Sequence, residues 1–305
     1  MHFENDFSGR SALVAIVGRP NVGKSTLLNR FVGKKIAIVS QKPQTTRNRI
    51  LGVSTREDCQ LAFLDTPGLL KPRDSLGDYM VRSVQSALDQ VDCCLLVTEA
   101  GRDISKADEE LARRFKDAHL PALLAINKID ALPGKTQLMA QIDAYMKLHD
   151  FKAVVPISAR TGSGVEDLRR ELETFAQEGG FLFPEDTLTD QPERVIASEM
   201  VREKILRLLQ QEVPHGVAAV TEQLSDRGDL LDISVTIYCE KQGHKGILIG
   251  KGGAMLKRIG AAAREDLEKF FGCKVNLQLW VKVKEDWRQR PQTLQSLGFV
   301  PDDLR

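Results

Sequence analysis

The stretch that decides the reading of this chain is Gly18-Arg19-Pro20-Asn21-Val22-Gly23-Lys24-Ser25-Thr26. It fits G-x-x-x-x-G-K-[S/T] and stands between an apolar run at 12–17 and a helical pattern at 25–31. Glycines let successive backbone N–H groups turn inward, and the amino terminus of the following helix adds its positive dipole end. Strand, glycine loop and helix in that order make a cradle for phosphates, so residues 18–26 are the expected phosphate contacts. Lys24 is expected to reach the β- and γ-phosphates, and the Ser25 hydroxyl to bind Mg²⁺.

Outward from this loop, apolar runs at 60–64, 93–97, 122–126 and 153–157 alternate with helical patterns such as 108–118. The runs are too short for helices and almost continuous in hydrophobicity, as strands covered on both faces are. This predicts an α/β domain with a mostly parallel sheet and helices on both faces. Residues 49–55 break the rhythm and predict an antiparallel hairpin with 60–64 across a turn at 56–58. The pattern fades after a helix at 165–177. Residues 179–191 contain Gly179-Gly180, Pro184 and several acids, and read as a linker. Beyond it comes a smaller α+β pattern: a helix from 192 to 211, strands at 217–224 and 230–240, a glycine-rich turn, a helix at 254–271 and a strand at 274–284. The domains are therefore expected at 1–178 and 192–305.

The phosphate loop does not choose between bases; Asn127-Lys128-Ile129-Asp130 does. It follows the run at 122–126, at a strand's carboxyl end, where such sheets bind ligands. A carboxylate only accepts hydrogen bonds, so Asp130 matches guanine N1–H and the 2-amino group, which adenine lacks. Lys128 is expected to pack over the base and Asn127 to tie this loop to the phosphate loop. Ser158-Ala159 is placed to offer a backbone N–H to guanine O6. Asp65-Thr66-Pro67-Gly68 ends the run at 60–64; Asp65 is expected to hold Mg²⁺ and the Gly68 N–H to face the γ-phosphate. In Gln44-Thr45-Thr46-Arg47, Thr46 is the expected further Mg²⁺ ligand. These two segments are the expected switches, ordered by the γ-phosphate.

A glutamine directly after the Asp-x-x-Gly motif orients water in Ras-like switches. Leu69 stands there, and its side chain cannot orient water by hydrogen bonding. The chain thus resembles GTPases with a hydrophobic residue at that position. In related families a phosphate-loop asparagine helps bind K⁺, and Asn21 occupies the matching place. Lys24, Thr46, Gly68 and Asn21 are the expected catalytic residues, and slow intrinsic GTP hydrolysis is expected.

In the second domain, Ile249-Gly250-Lys251-Gly252-Gly253 carries the GxxG of a KH module, which clamps about four nucleotides of a single strand. From Lys241 to Arg258 the chain holds Lys241, Lys245, Lys251, Lys257 and Arg258 and no acid. Ile247, Leu248, Ile249 and Met255 are expected to floor the groove under the bases. Ile249 to Gly253 with Lys257 and Arg258 are the expected RNA contacts.

Composition narrows the classes. Lys and Arg number 43 against 42 Asp and Glu, so no global charge selects a partner and any nucleic-acid surface is local. The amino terminus lacks a basic-then-apolar signal, and no uncharged run approaches the roughly 20 residues of a membrane span. Five cysteines without C-x-x-C or Cys/His spacing predict reduced thiols, with neither a disulfide scaffold nor a zinc site.

Along essentially its whole length the chain resembles the Era family, bacterial GTPases with a carboxyl-terminal KH (type II) domain. The resemblance rests on the motifs above together with Ser158-Ala159-Arg160, residues 199–206, Leu279-Trp280-Val281-Lys282-Val283-Lys284 and Leu297-Gly298. It implies GTP/GDP and Mg²⁺ as cofactors, to which the place of Asn21 adds K⁺. It also implies binding to single-stranded ribosomal RNA near the 3′ end of 16S rRNA and a role in small (30S) ribosomal subunit assembly. A cytoplasmic monomer with no DNA partner is expected. The family is also associated peripherally with the inner face of the cytoplasmic membrane. Here the basic segment 282–290 is interrupted by Glu285 and Asp286 and reads as a solvated face. The rival reading is a regulatory GTPase whose second domain docks a protein or membrane.

Overall fold

The computed structural model describes residues 9–42, 45–68, 74–88, 91–132, 134, 136–210 and 213–299. The expectations for Gln44, Leu69 and Leu70 lie outside these residues. The chain forms two compact units.

The first unit is built on a sheet whose strands are β1 (Arg10–Val17), β2 (Ile50–Arg56), β3 (Cys59–Asp65), β4 (Cys93–Glu99), β5 (Ala122–Asn127), β6 (Val154–Pro156) and β7 (Gln177–Glu178). The helices between them in the chain are α1 (Lys24–Val32), α2 (Ser75–Leu88, of which the part up to Met80 belongs to the second unit), α3 (Lys106–Asp117), α4 (Thr136–Leu148) and α5 (Val165–Glu173). Strand order is β2-β3-β1-β4-β5-β6. All neighbouring pairs along it are parallel except β2 with β3, the expected hairpin. Connections leave β1 toward β3 on one side and β4 on the other, so a crevice opens at the carboxyl end of β1, where the phosphate loop lies. The strands are apolar because both faces are covered: Leu61, Phe63, Leu95, Leu96, Leu123 and Leu124 are fully or nearly fully buried. Phe31 of α1 stacks on Phe63, with ring centroids 4.5 Å apart.

Three details differ from the sequence expectations. The helix expected to reach 177 ends at Glu173, and Gln177–Glu178 instead pairs antiparallel with Ser11 and Arg10. That stretch of β1 is free because its pairing with β4 begins only at Val14. The glycine-containing segment after β7 has no regular structure, yet it is tied down. The N–H groups of Gly180 and Val53 donate to Gly9 O and Leu188 O (both 2.9 Å), and the Gln60 amide bonds both the N–H and the carbonyl of Phe183.

The second unit gathers Gln191–Arg305 with Ala37–Thr45 and Lys71–Met80. Its elements are α6 (Glu193–Leu208), β8 (Val217–Asp226), β9 (Leu230–Cys239), α7 (Gln242–Ile249), α8 (Ala254–Phe271), β10 (Lys274–Val283) and α9 (Pro291–Ser296). The sheet order is β10-β9-β8, with β10 parallel and β8 antiparallel to β9. Pro192 stands just before α6, which begins at Glu193. One sheet face packs on the helices through Ile196, Val201, Ile205, Val235, Ile237, Ile259 and Leu267. Of the residues expected as an apolar groove floor, Ile247, Leu248 and Ile249 form the last turn of α7, and Met255 lies in the first turn of α8. Leu248 points into that core and is fully buried, whereas Ile247 is half exposed.

Candidate functional site

The phosphate loop takes its shape from three positive φ angles: Gly18 (144°), Asn21 (64°) and Gly23 (106°). Asparagine is one of the few side chains that accepts the left-handed region, so Asn21 has a backbone reason to be there apart from any ion. A Cβ on Gly23 would lie 2.2 Å from Asn127 Nδ2. This close approach lets Asn127 Nδ2 donate to Val22 O at 2.7 Å, while Asn127 Oδ1 accepts from the Ala159 N–H at 2.9 Å. One amide thus joins three loops that sit at strand ends. Of the Ser158-Ala159 pair expected to offer a backbone N–H to guanine O6, the Ala159 N–H is engaged with Asn127 and the Ser158 N–H with Ser163 O at 2.9 Å in this structure.

Lys24 is buried and folds back over the loop, its Nζ donating to Gly18 O and Arg19 O, both 3.1 Å. Burial lowers its pKa, and the nearby Asp65 carboxylate opposes that shift. Asp65, the last residue of β3, has no exposed surface; burial pushes its pKa up to about 6 against the pull of Lys24 and Ser25. Ser25 Oγ donates to Asp65 Oδ2 at 2.5 Å and lies 2.9 Å from Thr46 Oγ1. The three residues expected at Mg²⁺ therefore meet, and Asp65 Oδ1 is buried with no hydrogen-bond partner. Two hydroxyls and one carboxylate with an orphaned oxygen fit a small hard cation that prefers oxygen and retains some of its waters. Thr66 Oγ1 donates to Ile16 O at 3.0 Å, fixing the start of the next segment against β1. Pro67 precedes Gly68, where a Cβ would stand 2.7 Å from Pro20 N; only glycine brings this backbone so close to the phosphate loop.

At the base-reading end, Lys128 adopts φ 69° and its Nζ pairs with Glu99 at 2.9 Å. The Ile129 N–H bonds Ile157 O at 3.2 Å, and the side chain packs on the core. Asp130 accepts from Ser158 Oγ at 2.5 Å and from the Arg160 guanidinium, and these bonds hold its pKa below the ordinary range, Ser158 foremost. The carboxylate is thus oriented before any base arrives.

Sequence reasoning missed a buried support under the loop. Arg19 Nε lies 3.4 Å from Asp108 Oδ2. Asp108, fully buried in the first turn of α3, closes a capping box with Ser105 and accepts from Tyr145 Oη, which lies 2.8 Å from Thr98 Oγ1. The Ser105-Lys106-Ala107-Asp108 spacing could have announced the cap; nothing in the sequence announced Arg19 as its partner.

In the second unit, the GxxG loop joins α7 to α8. Gly250, Gly252 and Gly253 have φ of 73°, 58° and 82°, and a Cβ on Gly250 would lie 2.9 Å from Met255 N. Lys251, Lys257 and Arg258 are exposed around it. By contrast, Arg288 of the carboxyl-terminal basic segment is committed to Glu240 (2.8 Å) and Asp74 (3.5 Å), and Trp287 is fully buried, its Nε1–H on Gly216 O. Among the described residues no helix is long and apolar enough to cross a membrane.

Residues 13–128 match the family described as 50S ribosome-binding GTPase, and residues 212–288 match the KH domain. The chain is 49% identical over 293 residues to GTPase Era of Ruminiclostridium cellulolyticum, covering 96% of this chain and 98% of that one. It is 48% identical to the GTPase Era of Alkaliphilus metalliredigens, over 96% and 99% of the two chains. Its fold is similar to crystal structures of a point variant of Aquifex aeolicus Era bound to GDP·AlF4⁻ and of Era with MgGDPNP and nucleotides 1506–1542 of 16S ribosomal RNA. Both have TM-score 0.91 and 40% identity, covering 95% and 96% of this chain and 99% of each of theirs. With near-half identity along almost the full length of both chains and the same two-part fold, the chain belongs to the Era family of GTPases.

Proposed function

We propose that this chain is a GTP-hydrolysing switch whose KH domain binds single-stranded RNA near the 3′ end of 16S rRNA during 30S subunit assembly in the cytoplasm. The GTPase domain spans 1–178, a connecting segment 179–191 and the KH domain 192–305. One observation carries the nucleotide half: Ser25, Thr46 and Asp65 meet at one end of the crevice, and Asn127 links that end to Asp130 at the other. The RNA half is supported by the GxxG geometry and by the relative solved with 16S rRNA.

Residues 18–26 bind the phosphates through backbone N–H groups, with Lys24 on the β- and γ-phosphates. Ser25, Thr46 and Asp65 hold Mg²⁺, which when bound neutralises charge on the phosphate oxygens. The Gly68 N–H faces the γ-phosphate, and Thr66 and Pro67 set its position. Asp130 accepts from the guanine ring, Lys128 covers it, and Ile129 anchors the loop between them. Leu69 leaves no side-chain group to orient water, so unaided turnover is slow. Asn21 contributes a ligand for K⁺ beside the phosphates. Ile249, Gly250, Lys251, Gly252 and Gly253 clamp the RNA backbone, with Lys257 and Arg258 on flanking phosphates.

Single-turnover hydrolysis of GTP in Mg²⁺ tests the enzyme. GTP is cleaved and ATP is not, Lys24→Ala abolishes turnover, and K⁺ exceeds Na⁺ in a way that Asn21→Ala removes. Equal rates in K⁺ and Na⁺ with an unaffected Asn21 variant would reject the K⁺ site alone; equal cleavage of ATP would reject the guanine reading. On the RNA side, Lys251→Glu with Gly252→Asp removes RNA binding and leaves GTP binding intact. Unchanged RNA affinity would favour the rival, a protein- or membrane-docking domain.

A further inference from the structure

The motif Leu279-Trp280-Val281-Lys282 has no part in the GxxG clamp, yet it carries the largest exposed aromatic of the described residues. Trp280 is 58% exposed although it lies in the middle of a ten-residue strand. Strand alternation explains where it points. Val275, Leu277, Leu279, Val281 and Val283 pack on the helical core, and a Cβ on Gly260 of α8 would touch Leu279 Cδ1 at 3.4 Å. Lys274, Asn276, Gln278, Trp280 and Lys282 therefore line the opposite face, and all five are exposed. Burying a tryptophan is worth several kcal/mol to a fold, so one left in the open on a regular strand is an observation to be accounted for.

The chemistry of this row selects its occupant. It offers one indole face, two amides and a lysine at either end. Neither Lys274 nor Lys282 is committed to a carboxylate among the described residues. Asp232, the register partner of Asn276 on this face, is occupied by Arg227 at 2.5 Å and by Asn276 at 2.8 Å. A flat aromatic with flanking cations and amides is the composition of a single-strand platform, on which bases stack and phosphates find lysine. A protein-docking face would instead gather several apolar side chains, and Trp280 has no exposed apolar neighbour in its row. β10 also forms the edge of the sheet, so a strand leaving the helical side can turn onto this face.

We propose that this second sheet face, centred on Trp280 with Lys282, is a second contact surface for single-stranded RNA, stacking a base beyond those held by the GxxG loop. This rests on the RNA-binding reading above. It deepens that reading: a GxxG loop clamps about four nucleotides, far fewer than the 16S segment spanning nucleotides 1506–1542.

The experiment uses the full chain and an oligonucleotide covering the 3′-terminal segment of 16S rRNA, with a truncated one limited to the clamp's footprint. The other tryptophan, Trp287, is fully buried, so acrylamide quenching of intrinsic fluorescence reports on Trp280. The long RNA shields Trp280 and the short one does not. Trp280→Ala weakens the long RNA by about 10-fold or more, as loss of a stacked base does. Trp280→Phe restores most of it, and neither substitution changes affinity for the short RNA. Lys282→Ala lowers the salt slope of binding by about 0.7. Long-RNA binding that neither shields Trp280 nor responds to Trp280→Ala overturns the inference while the clamp stands. Shielding by anionic vesicles or by a ribosomal protein, but not by RNA, also overturns it and reassigns the face. No RNA binding by the wild-type chain in any nucleotide state overturns both readings, and loss only in the Lys251→Glu, Gly252→Asp variant separates the two.

Discussion

Asp130, proposed to read the guanine ring, shows how far a side chain's setting prepares it. Both carboxylate oxygens already have donors, Ser158 Oγ and Arg160, which hold the group ionised and aimed. Asp130→Asn replaces acceptor by donor, and GTP affinity falls by roughly 10⁴-fold while xanthosine triphosphate binding rises; titration with fluorescent analogues measures both. A GTP affinity that hardly moves would remove Asp130 from the base contact. Gly23→Ala tests the junction from the other side, since its Cβ would stand 2.2 Å from Asn127 Nδ2 at a positive φ. Nucleotide affinity should fall for GDP and GTP alike, because the displaced amide serves both. The tie between Asn127 and the phosphate loop was legible from motif order and spacing. The Arg19–Asp108 pair was not, because an arginine in a loop and an aspartate in a helix cap each have an ordinary local explanation.

At the scale of elements, α6 departs most from its sequence pattern. Its apolar positions recur at Val195, Met200, Ile205 and Leu209, and the last three are buried. The structure buries Arg202, Glu203 and Lys204 as well, and each is paired. Glu203 accepts from the Val39 N–H at 2.9 Å and from Arg207 at 3.0 Å, Lys204 pairs with Glu203 and Asp266, and Arg202 bonds Glu199 and Thr45 O. What covers these charges is distant in sequence: Asp266 on α8 and the residues around Val39, which have no periodicity of their own. No local pattern can reveal such a lid. Removing one partner strands the others, so Glu203→Ala destabilises the second unit by about 3–5 kcal/mol. Both tryptophans belong to that unit, so their fluorescence during chemical denaturation follows it alone. A change below about 1 kcal/mol would mean that water, not Glu203, satisfies these groups.

The whole molecule was largely readable in outline. Short apolar runs between helical patterns specified the parallel sheet, and the GxxG with its flanking elements specified the second fold. The membership of two short segments was not readable. Ala37–Thr45 and Lys71–Met80 lie before and after motifs of the first unit, yet they belong to the second. Leu76, Tyr79 and Met80 there join Trp287, Leu294 and Phe299 in one apolar cluster. Thr46, proposed to hold Mg²⁺, directly follows Ala37–Thr45, and Arg202 of α6 bonds Thr45 O. A switch whose nucleotide state governs RNA affinity requires the two to be coupled, and by thermodynamic reciprocity each ligand would change the affinity of the other by the same factor. The most direct test is the dissociation constant for the 3′-terminal 16S oligonucleotide, measured on one preparation loaded with GDP and then with a non-hydrolysable GTP analogue. Sequence-selective binding that is about 5-fold or more tighter with the analogue is the predicted result, whereas equal affinity in the two states would contradict a switch that governs RNA binding.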